Sequence, residues 1–224
     1  MSGPLLLRRR GLLGADDWKA DYVRDGLLMW LDGEHNGPGG VHNDPLVTWY
    51  DQSGNGYDWS NHGAEVKAQC VSFPYGATQY LDRETLPVGV AYMELAVLFK
   101  RLPTYSAILT GFGEGSQVNG NMTALNARLT MRIGGRNRAM PIQTNVVYSA
   151  TSTGYLNGVL QEEDSGTGGW SAMVPKIGAY NTGNSSAFSG QLYAIRLYDR
   201  VLTDAERQKN LAADARRFGI EVAT

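Results

Sequence analysis

The chain has 224 residues, of which 19% are charged, with a formal net charge of −2 and a pI near 5.9. That balance supplies no broad positive field for a phosphate backbone, so nucleic acid is excluded as the expected partner. Cys70 is the only cysteine, which leaves no intramolecular disulfide and makes the core the source of stability.

The N-terminus, MSGPLLLRRRGLLG, places its first apolar residues ahead of Arg8, Arg9 and Arg10, the reverse of a secretory leader. No apolar run approaches the length of a membrane span. The stretch ADDWKADYVRD follows with mixed charges and no period of two. Residues 1–25 are therefore read as an arm. It is either a loose terminus or a docking segment, in which Leu5, Leu6, Leu7, Arg8, Arg9, Arg10, Leu12, Leu13 and Trp18 engage a protein partner or a second copy.

From Gly26 onward, strands are predicted in series: GLLMWLDG, LVTWYDQSG, AEVKAQCVSFP, TQYLDRE and AYMELAVLFKRLP, each flanked by Gly, Pro, Asn or Asp. In MELAVLFK, Met93, Leu95, Val97 and Phe99 alternate with Glu94, Ala96 and Leu98, giving a core-directed face and a mixed outer one. SAILTGFG, ALNARLTMRIGG and IQTNVVYSAT continue the series. GYLNGVLQ then carries Asn157-Gly158 between apolar flanks, a strong hairpin signal. MVPKIGAY and the strand ending near Leu202 complete it. Thr203 and Glu206 form a capping box opening a helix at about 204–218, which stops at Gly219. About a dozen short strands and one helix predict an all-β, two-sheet antiparallel jelly-roll sandwich spanning 26–224, with an extended N-terminal arm. Trp30 and Trp49, inside strands, are assigned to the core.

Several clusters carry candidate chemistry. Asp51, Ser53 and Asn55, ahead of Gly56, have the alternating oxygens of the first half of a calcium loop. His62 stands where an EF-hand has its bidentate glutamate. The alternative is a turn whose side chains bond the local backbone, so the expected cofactor is none, with calcium as the alternative. His35, His42 and His62 fit no zinc-ligand spacing and read as loop histidines, and Cys70 reads as a buried strand thiol. Trp59, Trp170, Tyr155 and Tyr180, among Asn, Ser and Gly, are candidates for stacking on a sugar; the alternative is that each ring caps the core.

GLLMWLDG, VTWYDQSGNGYDW and the set GYLNGVL, KIGAYN and FSGQLYAIRLYDRVLTDAE stand in order along the chain. Together they resemble concanavalin A-like jelly rolls of the laminin-G-like type, whose members include glycan binders, protein binders, enzyme-appended domains and virion parts. The glucanases of that group carry E-x-D-x-x-E, for which this chain has no counterpart; Glu162, Glu163 and Asp164 read as a solvated loop. The apolar-basic arm and the lack of a leader look similar to phage structural proteins. The resemblance implies a non-enzymatic decoration or attachment protein of a virion assembled in the host cytoplasm, anchored by its arm to a capsid or fibre. A free carbohydrate-binding lectin-like module is the alternative, and a glycoside hydrolase or lyase a third.

Overall fold

In the computed structural model, the described residues are 17–74, 79–99, 175–179 and 188–219, plus eight short strand segments between 106 and 160 described by backbone alone. The strands form two antiparallel sheets and two smaller pairs, so the all-β sandwich expected from the sequence is what the chain builds. The large sheet runs, edge to edge, through Val159–Leu160, Gly154–Leu156, Thr144–Ser149, Tyr92–Phe99, Gly190–Tyr198, Cys70–Phe73 and Glu65–Lys67. Leu27–Asp32 also pairs with the central strand Gly190–Tyr198. The small sheet runs Thr48–Trp49, Trp59–His62, Tyr80–Asp82, Lys176–Ile177 and Leu109–Thr110.

Alternation sends Met29, Leu31, Leu95, Val97, Ile195 and Leu197 inward from the large sheet, to meet Trp49, Trp59, Leu81 and Ile177 from the small one. Trp30 and Trp49 are fully buried, as expected, but on different faces: Trp49 joins this core, while Trp30 packs with Tyr22 and Ala213 beneath the C-terminal helix. Cys70 is buried. Gly178 has φ +89, and a Cβ there would overlap the Phe73 ring, so both backbone conformation and space require glycine.

Two boundaries differ from the sequence reading. The segment AEVKAQCVSF is a hairpin, Glu65–Lys67 against Cys70–Phe73, because the chain turns at Ala68-Gln69. Residues 17–25 belong to the sandwich and not to an arm. A short 3-10 helix, Asp17–Asp21, leads into Tyr22 and Val23, both buried. The Val23 amide donates to Asn210 Oδ1 at 2.8 Å, a partner that an isolated strand pattern does not disclose.

The closing helix, Asp204–Phe218, matches its expected bounds. Thr203 and Glu206 form the reciprocal cap, and Gly219 ends the helix at φ +68 with its N–H on the Ala215 carbonyl. The helix and residues 18–23 lie over the outer face of the large sheet, where Ala194, Ala96 and Phe218 touch. The mixed outer face of the Tyr92–Phe99 strand is therefore covered, and Glu94 with it is buried.

Candidate functional site

The covered face holds a chain of buried charges. Trp30, Arg196 and Glu94 stand directly opposite one another on three adjacent strands. Arg196 donates from Nε to Glu94 at 2.8 Å and from its two terminal nitrogens to Asp214 on the helix. Asn210 donates to Glu94 and to the Tyr198 hydroxyl, and the Tyr22 hydroxyl donates to Asp214 at 2.9 Å. Arg217, near the helix end, grips Asp32 with both terminal nitrogens at 2.8 Å. Trp18 stacks on His35 at 3.9 Å, and the same indole receives the Arg217 guanidinium at 4.7 Å.

Asp32, Glu94, Arg196 and Asp214 are each at most 2% exposed. Burial alone would raise Asp32, but hydrogen bonds from His35 and Arg217, with the Arg217 charge, hold it down to about 2. Burial wins at Glu94 and raises it despite Arg196. These carboxylates are closed off and committed to holding the helix down.

The opposite outer face, on the small sheet, carries similar residue types in the open. Strand register lines up Thr48, Ser60, Asp82, Lys176 and Thr110 across five strands, with His62 opposite Tyr80 in the next row. The Trp59–His62 strand explains the arrangement: Trp59 points into the core, so Ser60 and His62 point out, and both are exposed. The His62 ring stacks on Tyr80 at 4.4 Å, its Nε2 lies 2.9 Å from Asp82 Oδ1, and Lys176 Nζ sits 4.4 Å from the Tyr80 ring centre. The His62 and Asp82 side chains are 42% and 31% exposed. Ser60, Asp82 and Lys176 thus stand on adjacent strands spaced about 4.8 Å apart, with His62 in the next row. That is a ladder of donors and acceptors around the half-buried Tyr80 ring.

The residues singled out from sequence fall elsewhere. Trp59 is fully buried, its indole N–H 3.4 Å from Met29 Sδ, so its ring fills the core and has no face for a sugar. Trp170, Tyr180, Glu162, Glu163, Asp164 and the run Leu5, Leu6, Leu7, Arg8, Arg9, Arg10, Leu12 and Leu13 lie outside the described residues. Tyr155 occupies the strand Gly154–Leu156, opposite Leu160 and Val147; its side chain lies outside them too. Trp18, expected to dock on a partner, packs instead against its own chain at Trp30, His35 and Arg217.

Asp51, Ser53 and Asn55 build the turn and not an open loop of oxygens. Asp51 accepts from the amides of Trp30, Ser53 and Tyr57 and from the Ser53 hydroxyl, while Asn55 Nδ2 donates to the carbonyls of Leu27 and Leu28. Among the described residues, no three His, Cys, Asp or Glu side chains converge as a metal site. Sequence reasoning passed over Ser60, Tyr80, Asp82 and Lys176, and read His62 as a loop histidine where it lies on a strand. The signal available for two of them was the alternation after Trp59, hidden because WSNH was taken for a loop.

Neither the comparison with protein-family models nor that with curated proteins yields a match. Solved structures share the fold. A Trypanosoma rangeli sialidase in complex with sialic acid superposes with a TM-score of 0.59 at 17% identity, over 84% of this chain and 33% of the sialidase. The chain therefore spans about a third of the sialidases it matches. Domain 4 of AbnA, a GH43 extracellular arabinanase from Geobacillus stearothermophilus, in complex with arabinotriose, matches with a TM-score of 0.54 at 14% identity, over 83% of this chain and 98% of that domain. A receptor binding domain matches with a TM-score of 0.55 at 10% identity, over 88% of this chain and 53% of its own. At these identities the likeness is one of fold. It corrects the expectation of a chain outside enzymes, because sialidases and an arabinanase domain are among the proteins that share this sandwich.

Proposed function

We propose that the chain is a carbohydrate-binding recognition module whose ligand lies across the exposed face of the small sheet. The observation that carries this reading is the row Ser60, Asp82 and Lys176, flanked by the His62–Tyr80 stack, on a sheet face open to solvent. A sugar chain presents hydroxyls at short, regular intervals. A carboxylate that accepts two of them and an ammonium that donates to a ring or glycosidic oxygen give affinity, and an aromatic edge adds apolar contact. The fold shared with a whole domain described in complex with arabinotriose supports the reading. The test is calorimetric titration and glycan-array screening of the full chain, with arabinotriose among the probes. Glycan binding that weakens about tenfold in Asp82→Ala and in His62→Ala is expected. Silence across the array, or binding indifferent to both changes, overturns it.

A finer role follows for the whole protein: attachment within a larger assembly such as a phage particle, through the leading run Leu5–Leu13. The likeness to a receptor binding domain favours it. Light scattering of the full chain and of a variant lacking residues 1–16 tests the docking part. A multimer that falls apart on deletion supports it, and a monomer in both cases removes it.

A further inference from the structure

Two Asn-Gly pairs lie among the described residues, and the fold treats them oppositely. In Asn36-Gly37 both residues are buried. There Asn36 Oδ1 accepts from the Asn43 amide at 2.6 Å, and the Gly37 amide donates to the Val41 carbonyl at 2.8 Å. In Asn55-Gly56 both residues are exposed. The Gly56 N–H donates no hydrogen bond among the described residues, and a Cβ at Gly56, where φ is +76, would meet no atom within 4 Å. Its amide nitrogen is therefore open to react, and that of Gly37 is not.

One restraint acts on the Asn55 side chain. Its Nδ2 donates to the Leu27 and Leu28 carbonyls at 3.2 and 2.9 Å, tying the connection 50–58 to the strand Leu27–Asp32. That connection joins Thr48–Trp49 to Trp59–His62 in the small sheet. Two hydrogen bonds at the surface slow a reaction that must break them by about tenfold to a hundredfold, and do not stop it.

We propose that Asn55 is a site of spontaneous deamidation, which turns the tether of this connection into a charge that repels its own anchors. Hydroxide removes the Gly56 amide proton, and the nitrogen attacks Asn55 Cγ. The Cγ–Nδ2 bond breaks, the side-chain nitrogen leaves as ammonia, and a cyclic imide closes. Water then opens the ring at either carbonyl. The product is aspartate, or isoaspartate with the main chain rerouted through Cβ and Cγ; either way the amide and water give a carboxylate and ammonia. The new carboxylate faces the Leu27 and Leu28 carbonyls, in a connection that already holds Asp51 and Asp58. Two attractive contacts become repulsive ones. This modification stands independently of the glycan-binding reading.

The test ages the full chain in mildly alkaline buffer made with heavy-oxygen water and maps its peptides by mass spectrometry. Asn55 is expected to convert to aspartate and isoaspartate with uptake of the heavy oxygen, while Asn36, which reacts only through local opening, converts at least about a hundredfold more slowly. Asn55→Gln, which keeps the amide on a longer side chain, is expected to abolish conversion at this position. The aged chain and Asn55→Asp are expected to shift the unfolding equilibrium in urea about tenfold towards the unfolded state. An Asn55 that stays intact while a free peptide of residues 53–57 converts completely overturns the inference, as does conversion of Asn36 at the same rate. An aged chain with an unchanged unfolding midpoint removes the tether's role. The aged wild-type chain decides the site of reaction even where a variant does not fold.

Discussion

The two outer faces of the sandwich use the same side chains to opposite ends. On the large sheet, Glu94, Arg196, Asp32 and Tyr198 lie under the closing helix, and their polar groups meet partners from one another and from Asn210, Asp214 and Arg217. On the small sheet, Asp82, Lys176, His62 and Tyr80 meet one another at the solvent boundary. The difference lies in the dielectric. Buried charges depend strongly on their partners, because removing one leaves the others without water. Charges at the solvent boundary keep part of their water, so losing a partner costs them little.

The sharpest way to break the comparison is to remove the hub of the covered face. Arg196→Ala strands Glu94 and Asp214, and a loss of roughly 3–5 kcal/mol in urea unfolding is expected. Replacing all three with apolar residues of similar size should cost much less, because no charge is then left buried alone. A triple replacement that costs as much as the single one would mean that the triad's charges are net stabilising, and the contrast between faces would be one of degree.

Acid provides the next test. Asp32 is held at about 2 in the folded chain, against 3.8 for a free side chain. Between those values the unfolded chain binds a proton that the folded one does not, so stability is present above pH 4 and falls as pH drops towards 2. The full effect is about 2 kcal/mol. Asp32→Asn should flatten that part of the stability profile, measured by denaturant midpoints across the range. An unaltered profile in Asp32→Asn would mean that the Arg217 and His35 contacts do not hold that carboxylate down.

What the sequence made legible depended on whether a signal was local. The capping box at Thr203 and Glu206, the stop at Gly219 and the alternation of Met93, Leu95 and Val97 are short-range patterns, and each appears in the folded chain as read. The Asp51 turn is equally local, and its self-satisfying side chains were one of the two readings its spacing allowed. The covered face was not legible, because the pairings of Arg196 with Asp214 and of Tyr22 with the same carboxylate depend on where a helix docks across the sheet. The sequence leaves Trp59 between a sugar platform and a core ring for a related reason. Its polar neighbours Ser60 and Asn61 suggest a loop, whereas the strand they belong to turns only every second residue outward. The row on the small sheet joins strands from four separate parts of the chain plus Leu109–Thr110, and no window of sequence contains it.

The smallest expected effect bears most directly on function. His62 and Asp82 form a pair at 2.9 Å, but both side chains are well exposed, so a double-mutant cycle of His62→Ala and Asp82→Ala should give a coupling below about 0.5 kcal/mol in stability. The same two changes are expected to weaken glycan binding about tenfold. A residue that matters to the fold moves the unfolding midpoint first, and one that serves a ligand moves the binding isotherm while the midpoint stays still. A coupling of several kcal/mol would place the row with the buried network on the other side of the sandwich, as scaffolding, and would take the binding face away from the small sheet.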